Sequence, residues 1–300
     1  MAPQSRGEEV GGQSTKRESL MLHVRFLLLF VVALTSVPLR AAEPLTIRLD
    51  PEGWGDVETV DIRKVLESVG RELLKPFPQT RPIHIRVVPS DGVPQVDYRR
   101  AVDGEFTVRL AVRNRQWAQF AFQFGHELGH IVTYYERRND NKLGAENQWF
   151  DETVCETISL FVLMRMAETW KTDPPYSNWK SYAPSLAEYA TLRIREVEAP
   201  TADDMPKWFA DNRDALRGDP YLRDRNRIVA AHLYRMLEQK PEHWEAFRYL
   251  NLGRPDKTNS FECYVENWYF SVPLAHKPFV KGVADLLGVK SESIAQHATK

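Results

Sequence analysis

The chain has 300 residues, 43% of them hydrophobic, which is enough to bury a sizeable core as one large domain or as two lobes. Its 40 basic and 41 acidic side chains give a formal net charge of −1. This balance argues against a nucleic-acid partner and against an acidic tail. The sequence contains no internal repeat and no low-complexity segment.

The N-terminal segment has the pattern of a secretory signal peptide. A short basic region at His23 and Arg25 precedes an apolar run at 26–34, and small residues follow at 41–42. The apolar run is shorter than the ~20 residues of a comfortable membrane span. We therefore predict a signal peptide at about 21–42 and export to the periplasm or the extracellular space. The alternative is an uncleaved N-terminal anchor, which would keep the chain at a membrane.

The next part of the chain alternates between strand and helix patterns. Period-two alternation predicts strands at 46–49, 83–88 and 105–112, and an apolar stripe predicts a helix over 57–74. A second amphipathic helix is predicted over 115–137. This arrangement is typical of an α+β fold. The third strand is expected either at the rim of a cleft, where it would pair with an extended peptide, or in the interior of the sheet.

The helix predicted over 115–137 carries the motif His126-Glu127-Leu128-Gly129-His130. Two histidines four residues apart project from the same face of a helix, so both imidazoles can bind one zinc ion. Glu127 is close enough to take a proton from water activated by that metal. An accidental match on a helix that binds no metal is the competing interpretation.

A third amphipathic helix begins near residue 147 and carries two acids, Glu152 and Glu156, on one face. Two histidines and one carboxylate leave a fourth tetrahedral position open, which is the catalytic arrangement of zinc. We expect Glu152 to be the third ligand and Glu156 to accept a hydrogen bond from a metal-bound imidazole. The alternative is that these acids favour the positive end of the helix, with Glu156 solvated.

The histidine motif followed by Trp149-Phe150-Asp151-Glu152 resembles the gluzincin metallopeptidases, including the thermolysin-like enzymes. The resemblance covers residues 115–160, and the chain lacks the Gly-x-Met-Glu-Asn motif of the aminopeptidases. It implies one zinc ion per chain, held by His126, His130 and Glu152, with Glu127 as the catalytic base and a peptide or protein as substrate. Glu156 matches the acid that supports a ligand in that family.

The resemblance also implies a zincin-like fold, in which a small N-terminal sheet and the active-site helix pack against a mostly helical C-terminal lobe. We expect residues 1–42 to be the extension and signal peptide, and 43–300 to form a single catalytic domain. Within it, 43–145 would form the α+β lobe and 146–300 the helical lobe.

The C-terminal half has weaker patterns. Residues 171–207 are predicted to form a loop that overhangs the cleft, interrupted by a helix at about 184–197, and helices are predicted at 223–239 and 277–287. Peptidases of this type add a donor that stabilises the oxyanion formed during hydrolysis. The candidate donors are His232 and Tyr234, followed by Tyr264 and Tyr269.

Two cysteines, Cys155 and Cys263, follow the predicted signal. Because export permits disulfides, they are expected either to pair or to leave Cys155 as a small buried residue beside the metal helix. The function predicted from the sequence is zinc-dependent peptide hydrolysis. The alternative is a secreted zinc-binding scaffold or interaction protein that has the same fold and no turnover.

Overall fold

The computed structural model describes residues 44–77, 81–97, 99–137, 145–195, 197–253, 260–290 and 294. The predicted signal peptide lies outside the described residues. Residues 43–300 form one compact unit. No helix among the described residues is both long enough and apolar enough to cross a membrane.

A small mixed sheet of four strands forms the N-terminal part. Its strands are β1 (Leu45–Leu49), β2 (Ile83–Pro89), β3 (Gln95–Asp97) and β4 (Phe106–Leu110), arranged in the order β1-β2-β4-β3. The first three strands in that order are parallel, and β3 pairs antiparallel with β4, with Val96 opposite Val108. β4 therefore lies inside the sheet, and the strand at the end of the sheet is β3. The sequence left two positions open for this strand, the rim of the cleft and the interior of the sheet. The structure shows β4 in the interior.

The first helix, α1 (Thr59–Leu74), follows β1 and buries the apolar stripe that the sequence predicted. The second, α2 (Trp117–Val132), carries the histidine motif and is buried along nearly its whole length. The Gln123 side chain connects α2 to the sheet, because its Oε1 accepts a hydrogen bond from the backbone N–H of Ala111 at 2.9 Å. The motif helix is thereby held next to the end of β4.

The rest of the domain is helical, which confirms the predicted α+β class. The helix α3 (Gln148–Trp170) is longer than its predicted segment, and two helices were not predicted at all. They are α5 (Met205–Gly218) and α7 (Phe261–Ser271). The remaining helices lie where the sequence predicted helices, and they are α4 (Ala183–Arg195), α6 (Arg223–Gln239) and α8 (Lys277–Leu286).

Candidate metal centre

Helices α2 and α3 approach each other closely at the histidine motif. A Cβ added at Gly129 would lie 3.1 Å from Sγ of Cys155, so only a glycine leaves ordinary space there. Two turns before Gly129 on α2, the carbonyl of Phe122 accepts a hydrogen bond from the hydroxyl of Ser159 at 3.0 Å. This close contact brings the acidic face of α3 against the histidines of α2.

The carboxylate of Glu152 lies between the two histidines. Its Oε2 is 3.1 Å from Nε2 of His126, and its Oε1 is 3.6 Å from Nε2 of His130. The two imidazole rings are 5.0 Å apart, as expected for residues one helical turn apart. Glu152 follows His130 by 22 positions and His126 by 26 positions in the chain. Its two carboxylate oxygens and the Nε2 atoms of the two histidines nevertheless surround one small space.

A thiol lies on the other side of one imidazole. Sγ of Cys155 is 3.3 Å from Nδ1 of His130, and both side chains are buried. One potential ligand atom each from His126, His130 and Cys155 lies within 4.8 Å of the others, so these residues are placed to hold a metal ion. The thiols of Cys155 and Cys263 are both free, which agrees with the expectation of a buried cysteine beside the metal helix and not with a disulfide.

The charges of this cluster are strongly coupled. Burial opposes protonation of His126, but the hydrogen bond with Glu152 and the nearby carboxylates outweigh it and raise its pKa to about 9. Burial favours the neutral form of Glu152, but the two imidazoles outweigh it and lower its pKa to about 2. For His130 burial dominates and lowers the pKa to about 4. These shifts favour an ion pair between His126 and Glu152 beside a neutral His130.

Glu127 lies in the same cleft and is only 3% exposed. Burial raises the pKa of this carboxyl to about 7, although the charge of His126 and a hydrogen bond from the backbone N–H of Val96 oppose the shift. The charge of Arg223 also favours its ionised form. A carboxyl group that titrates near neutral pH is suited to accept and return protons.

Glu156 lines the cleft, but the closest cation to its carboxylate is not a histidine. Its Oε1 lies 3.5 Å from Nε of Arg227, a residue of α6. Its negative charge still reaches His126 and favours the protonated imidazole. The sequence predicted that Glu156 accepts a hydrogen bond from one of the imidazoles. In the structure Cys155 contacts Nδ1 of His130 instead.

The first turn of α3 is held to the end of α2 by a buried polar network. The amide of Asn251 donates hydrogen bonds to Oδ1 of Asp151 at 2.7 Å and to the carbonyl of Thr133 at 3.1 Å. The hydroxyl of Tyr264 donates to Oδ2 of Asp151 at 3.3 Å. Tyr264, one of the candidate oxyanion donors, thus contacts the acid next to Glu152 and helps to position α3.

The two preferred candidates for the oxyanion donor do not reach the cleft. Nε2 of His232 lies 3.0 Å from the carbonyl oxygen of Pro200, and Tyr234 packs against Trp244 at a separate cavity. Both belong to later turns of α6, whereas its first turn faces the histidines. This placement does not support the expectation that His232 or Tyr234 stabilises an oxyanion there, because the hydroxyl or imidazole would have to lie within hydrogen-bond distance of the reacting carbonyl.

The cleft has a volume of about 1020 Å³ and is open to solvent on one side. Its walls are β3, one face of α4 and the first turn of α6, which contributes Arg223 and Asn226, with Tyr221 just before it. The hydroxyl of Tyr221 accepts a hydrogen bond from Gln148 at 2.9 Å. The sequence does not predict these side chains as part of the site, since no local motif marks them and the pattern indicates only the start of a helix at Arg223.

The sequence matches no known protein-family model, and no curated protein is significantly similar to it. The geometry of the cleft and the motif itself therefore carry the functional argument.

Proposed function

We propose that this cleft is the active site of a zinc-dependent peptidase, with the ion held by His126, His130 and Glu152. The observation that carries the proposal is the approach of one carboxylate to the cleft-facing nitrogens of both histidines, at 3.1 and 3.6 Å. Two imidazoles and a carboxylate are the ligand set of catalytic zinc sites with an open position. The resemblance of 115–160 to gluzincins supports the same assignment and favours a zincin-like fold.

Cys155 is the competing third ligand, and its position argues against it. Its thiol contacts Nδ1 of His130, whereas the carboxylate of Glu152 approaches Nε2 of both histidines. We therefore assign Glu152 to the ion and Cys155 to the support of His130.

A zinc ion held there would act as a Lewis acid toward the scissile carbonyl and would make the attacking water more acidic. Glu127 then takes the proton of the water and returns it to the leaving amine, a task that suits its pKa of about 7. Arg223 and Tyr221 border the same space, and we propose that they stabilise the negative charge that develops on the carbonyl oxygen.

A peptide is the favoured substrate because a strand at the edge of the sheet borders the cleft. Val96 of β3 lines the cleft, and β3 is the last strand of the sheet in the described residues. An extended peptide can add to such a strand through backbone hydrogen bonds. We also propose that the protein is exported, on the basis of the predicted signal peptide at 21–42.

The test is turnover of a peptide library together with elemental analysis for zinc. The wild-type chain is expected to contain about one zinc ion and to cleave peptides, whereas Glu127→Gln keeps the metal and loses hydrolysis. Glu168→Gln, which changes an exposed glutamate of α3 far from the cleft, is the matched control. Bound zinc with no turnover of any peptide would instead support the silent zinc-binding scaffold, and absence of zinc would overturn both.

A further inference from the structure

A cluster of two aromatic rings and one cation lies in the cleft, one helical turn from His126. The guanidinium of Arg193 lies 4.5 Å from the ring centroid of Phe122, and its Nη2 donates a hydrogen bond to the hydroxyl of Tyr189 at 3.0 Å. The rings of Phe122 and Tyr189 are 5.7 Å apart. All three side chains line the cleft.

Helix geometry explains why these residues meet. Phe122 and His126 are four residues apart on α2, and Tyr189 and Arg193 are four residues apart on α4. Each pair therefore projects from a single helix face, and the two faces meet where Tyr189 contacts Phe122. Phe122 precedes His126 by one helical turn, about 5.4 Å along the axis, so Arg193 lies in the cleft near the proposed metal site. A substrate side chain close to the scissile bond can therefore meet Arg193.

The guanidinium is held in a defined orientation. Stacking on an aromatic face and a hydrogen bond to a tyrosine hydroxyl restrict the rotation of a long side chain, which reduces the entropy lost when a ligand binds. A guanidinium carries its N–H groups in a planar fork that matches the two oxygens of a carboxylate. This chemistry favours a carboxylate over an amide or an amine.

Charged side chains of both signs line the cleft. Its described acids are Asp97, Glu127, Glu152 and Glu156, and its arginines are Arg99, Arg193 and Arg223. The acids Glu127 and Glu152 belong to the proposed metal site, whereas the charged group beside Phe122 is the guanidinium of Arg193. A carboxylate at that point of the cleft therefore meets a positive charge.

We infer that Arg193 is a specificity residue that selects substrates with a carboxylate next to the scissile bond. This inference rests on the proposed peptide hydrolysis. The carboxylate is either an aspartate or glutamate side chain or the free C-terminus of the peptide. The first source gives an endopeptidase that prefers acidic sequences, and the second gives an enzyme that removes C-terminal residues.

The experiment compares matched peptides with glutamate, glutamine or lysine on each side of the bond, each with a free or an amidated C-terminus. Wild type is expected to prefer a carboxylate by about 10–100-fold in kcat/KM, the range for a hydrogen bond between charged groups. Arg193→Met keeps the length of the side chain and should abolish the preference, and Arg193→Glu should reverse it toward lysine. A preference that disappears on amidation identifies the C-terminus as the source.

Arg195→Met is the control, since Arg195 is an exposed arginine on the same helix that does not line the cleft. Thermal unfolding of each variant shows whether it folds. Binding of fluorescent peptides to Glu127→Gln, with and without zinc, provides a readout that needs no turnover. The inference is overturned if peptides are cleaved or bound equally well with glutamate, glutamine and a blocked terminus, or if Arg193→Met keeps the preference. Loss of hydrolysis with a retained, Arg193-dependent binding preference would contradict the peptidase proposal alone.

Discussion

Sγ of Cys155 lies 3.3 Å from Nδ1 of His130, on the far side of the imidazole from the nitrogen that faces the cleft. A histidine that binds a metal through Nε2 carries its proton on Nδ1 and needs an acceptor for it. The thiol sulfur provides a weak acceptor at that position. In the proposed zinc site a buried cysteine would therefore support His130, although carboxylates or carbonyls more often support a metal-bound histidine.

The first prediction concerns this contact. Cys155→Ala should weaken zinc binding by about 10–100-fold, because His130 loses a contact that helps to orient its ring. Cys155→Ser should retain tight binding, since a hydroxyl oxygen accepts the same hydrogen bond. Competition with a chelator measures the affinity, and Cys263→Ala is the matched control because Cys263 is the other free cysteine and lies outside the cluster.

Replacing zinc with cobalt shows whether Cys155 supports His130 or binds the metal itself. If Cys155 only supports His130, the cobalt-loaded protein should lack the intense ultraviolet absorption of a cobalt–thiolate bond. Appearance of that absorption, and its loss in Cys155→Ser, would show that Cys155 binds the metal directly.

The second prediction separates the two acids of α3. Glu152→Gln should lose most of the bound zinc, because Glu152 faces both histidines. Glu156→Gln should keep stoichiometric zinc and lower activity by less than the roughly 10–100-fold typical of a group that hydrogen-bonds a metal ligand, since Glu156 lies beside Arg227 and influences His126 through its charge. Zinc content after dialysis and peptide turnover are the measurements. Greater loss of zinc in Glu156→Gln would contradict the assignment of ligands.

The third prediction concerns pH. Because the pKa of His126 is raised to about 9 and that of His130 is lowered to about 4, only His126 carries a proton at neutral pH in the metal-free chain. Zinc requires a neutral imidazole, so binding should release about one proton at pH 7. Zinc affinity should then rise with pH until about pH 9. The ion pair with Glu152 should stabilise the metal-free fold at neutral pH and lose this effect as pH rises through about 9.

Calorimetry in buffers of different ionisation enthalpy measures the protons released. His232→Asn serves as the control and should release the same number, since His232 contacts Pro200 away from the cleft. A zinc affinity independent of pH between 7 and 9 would show that His126 is already neutral there.

The fourth prediction tests the close approach of α2 and α3. A Cβ at Gly129 would lie 3.1 Å from Sγ of Cys155 and 3.4 Å from Cδ1 of Ile158, so Gly129→Ala should push the helices apart and displace the thiol. We expect a loss of about 1–3 kcal/mol in the free energy of unfolding and weaker zinc binding. Denaturant unfolding and chelator competition measure the two effects.

Gly125→Ala is the control on the same helix. Its added Cβ would lie 3.6 Å from the nearest atom, Cα of Ser159, which is an ordinary contact. This change should be neutral, or it should stabilise by up to about 1 kcal/mol through helix propensity. Equal effects of the two substitutions would mean that the contact between Gly129 and Cys155 does not limit the packing.

Patterns local in the sequence were sufficient for the secondary structure around the site. The apolar spacing that predicts α2 repeats every three to four residues, and the alternation that predicts β2 repeats every two, so a short window contains the signal. The histidine motif is also local, because its geometry follows from one helix. By contrast, β3 has only three residues and no repeating pattern, and the sequence analysis missed this strand for that reason.

The arrangement of the side chains in the candidate site depended on how the helices pack. The sequence alone established a helix that presents two histidines beside Glu127, and a second helix with two acids. Only the tertiary structure decided that Glu152 faces the histidines, that Cys155 contacts His130, and that His232 lies away from the cleft. It also brought Arg193 and Arg223 there from elements 60 to 100 residues further along the chain. The rotation of a helix about its axis follows from the packing of all its neighbours, so a single sequence reveals which residues share a face but not which face meets the cleft.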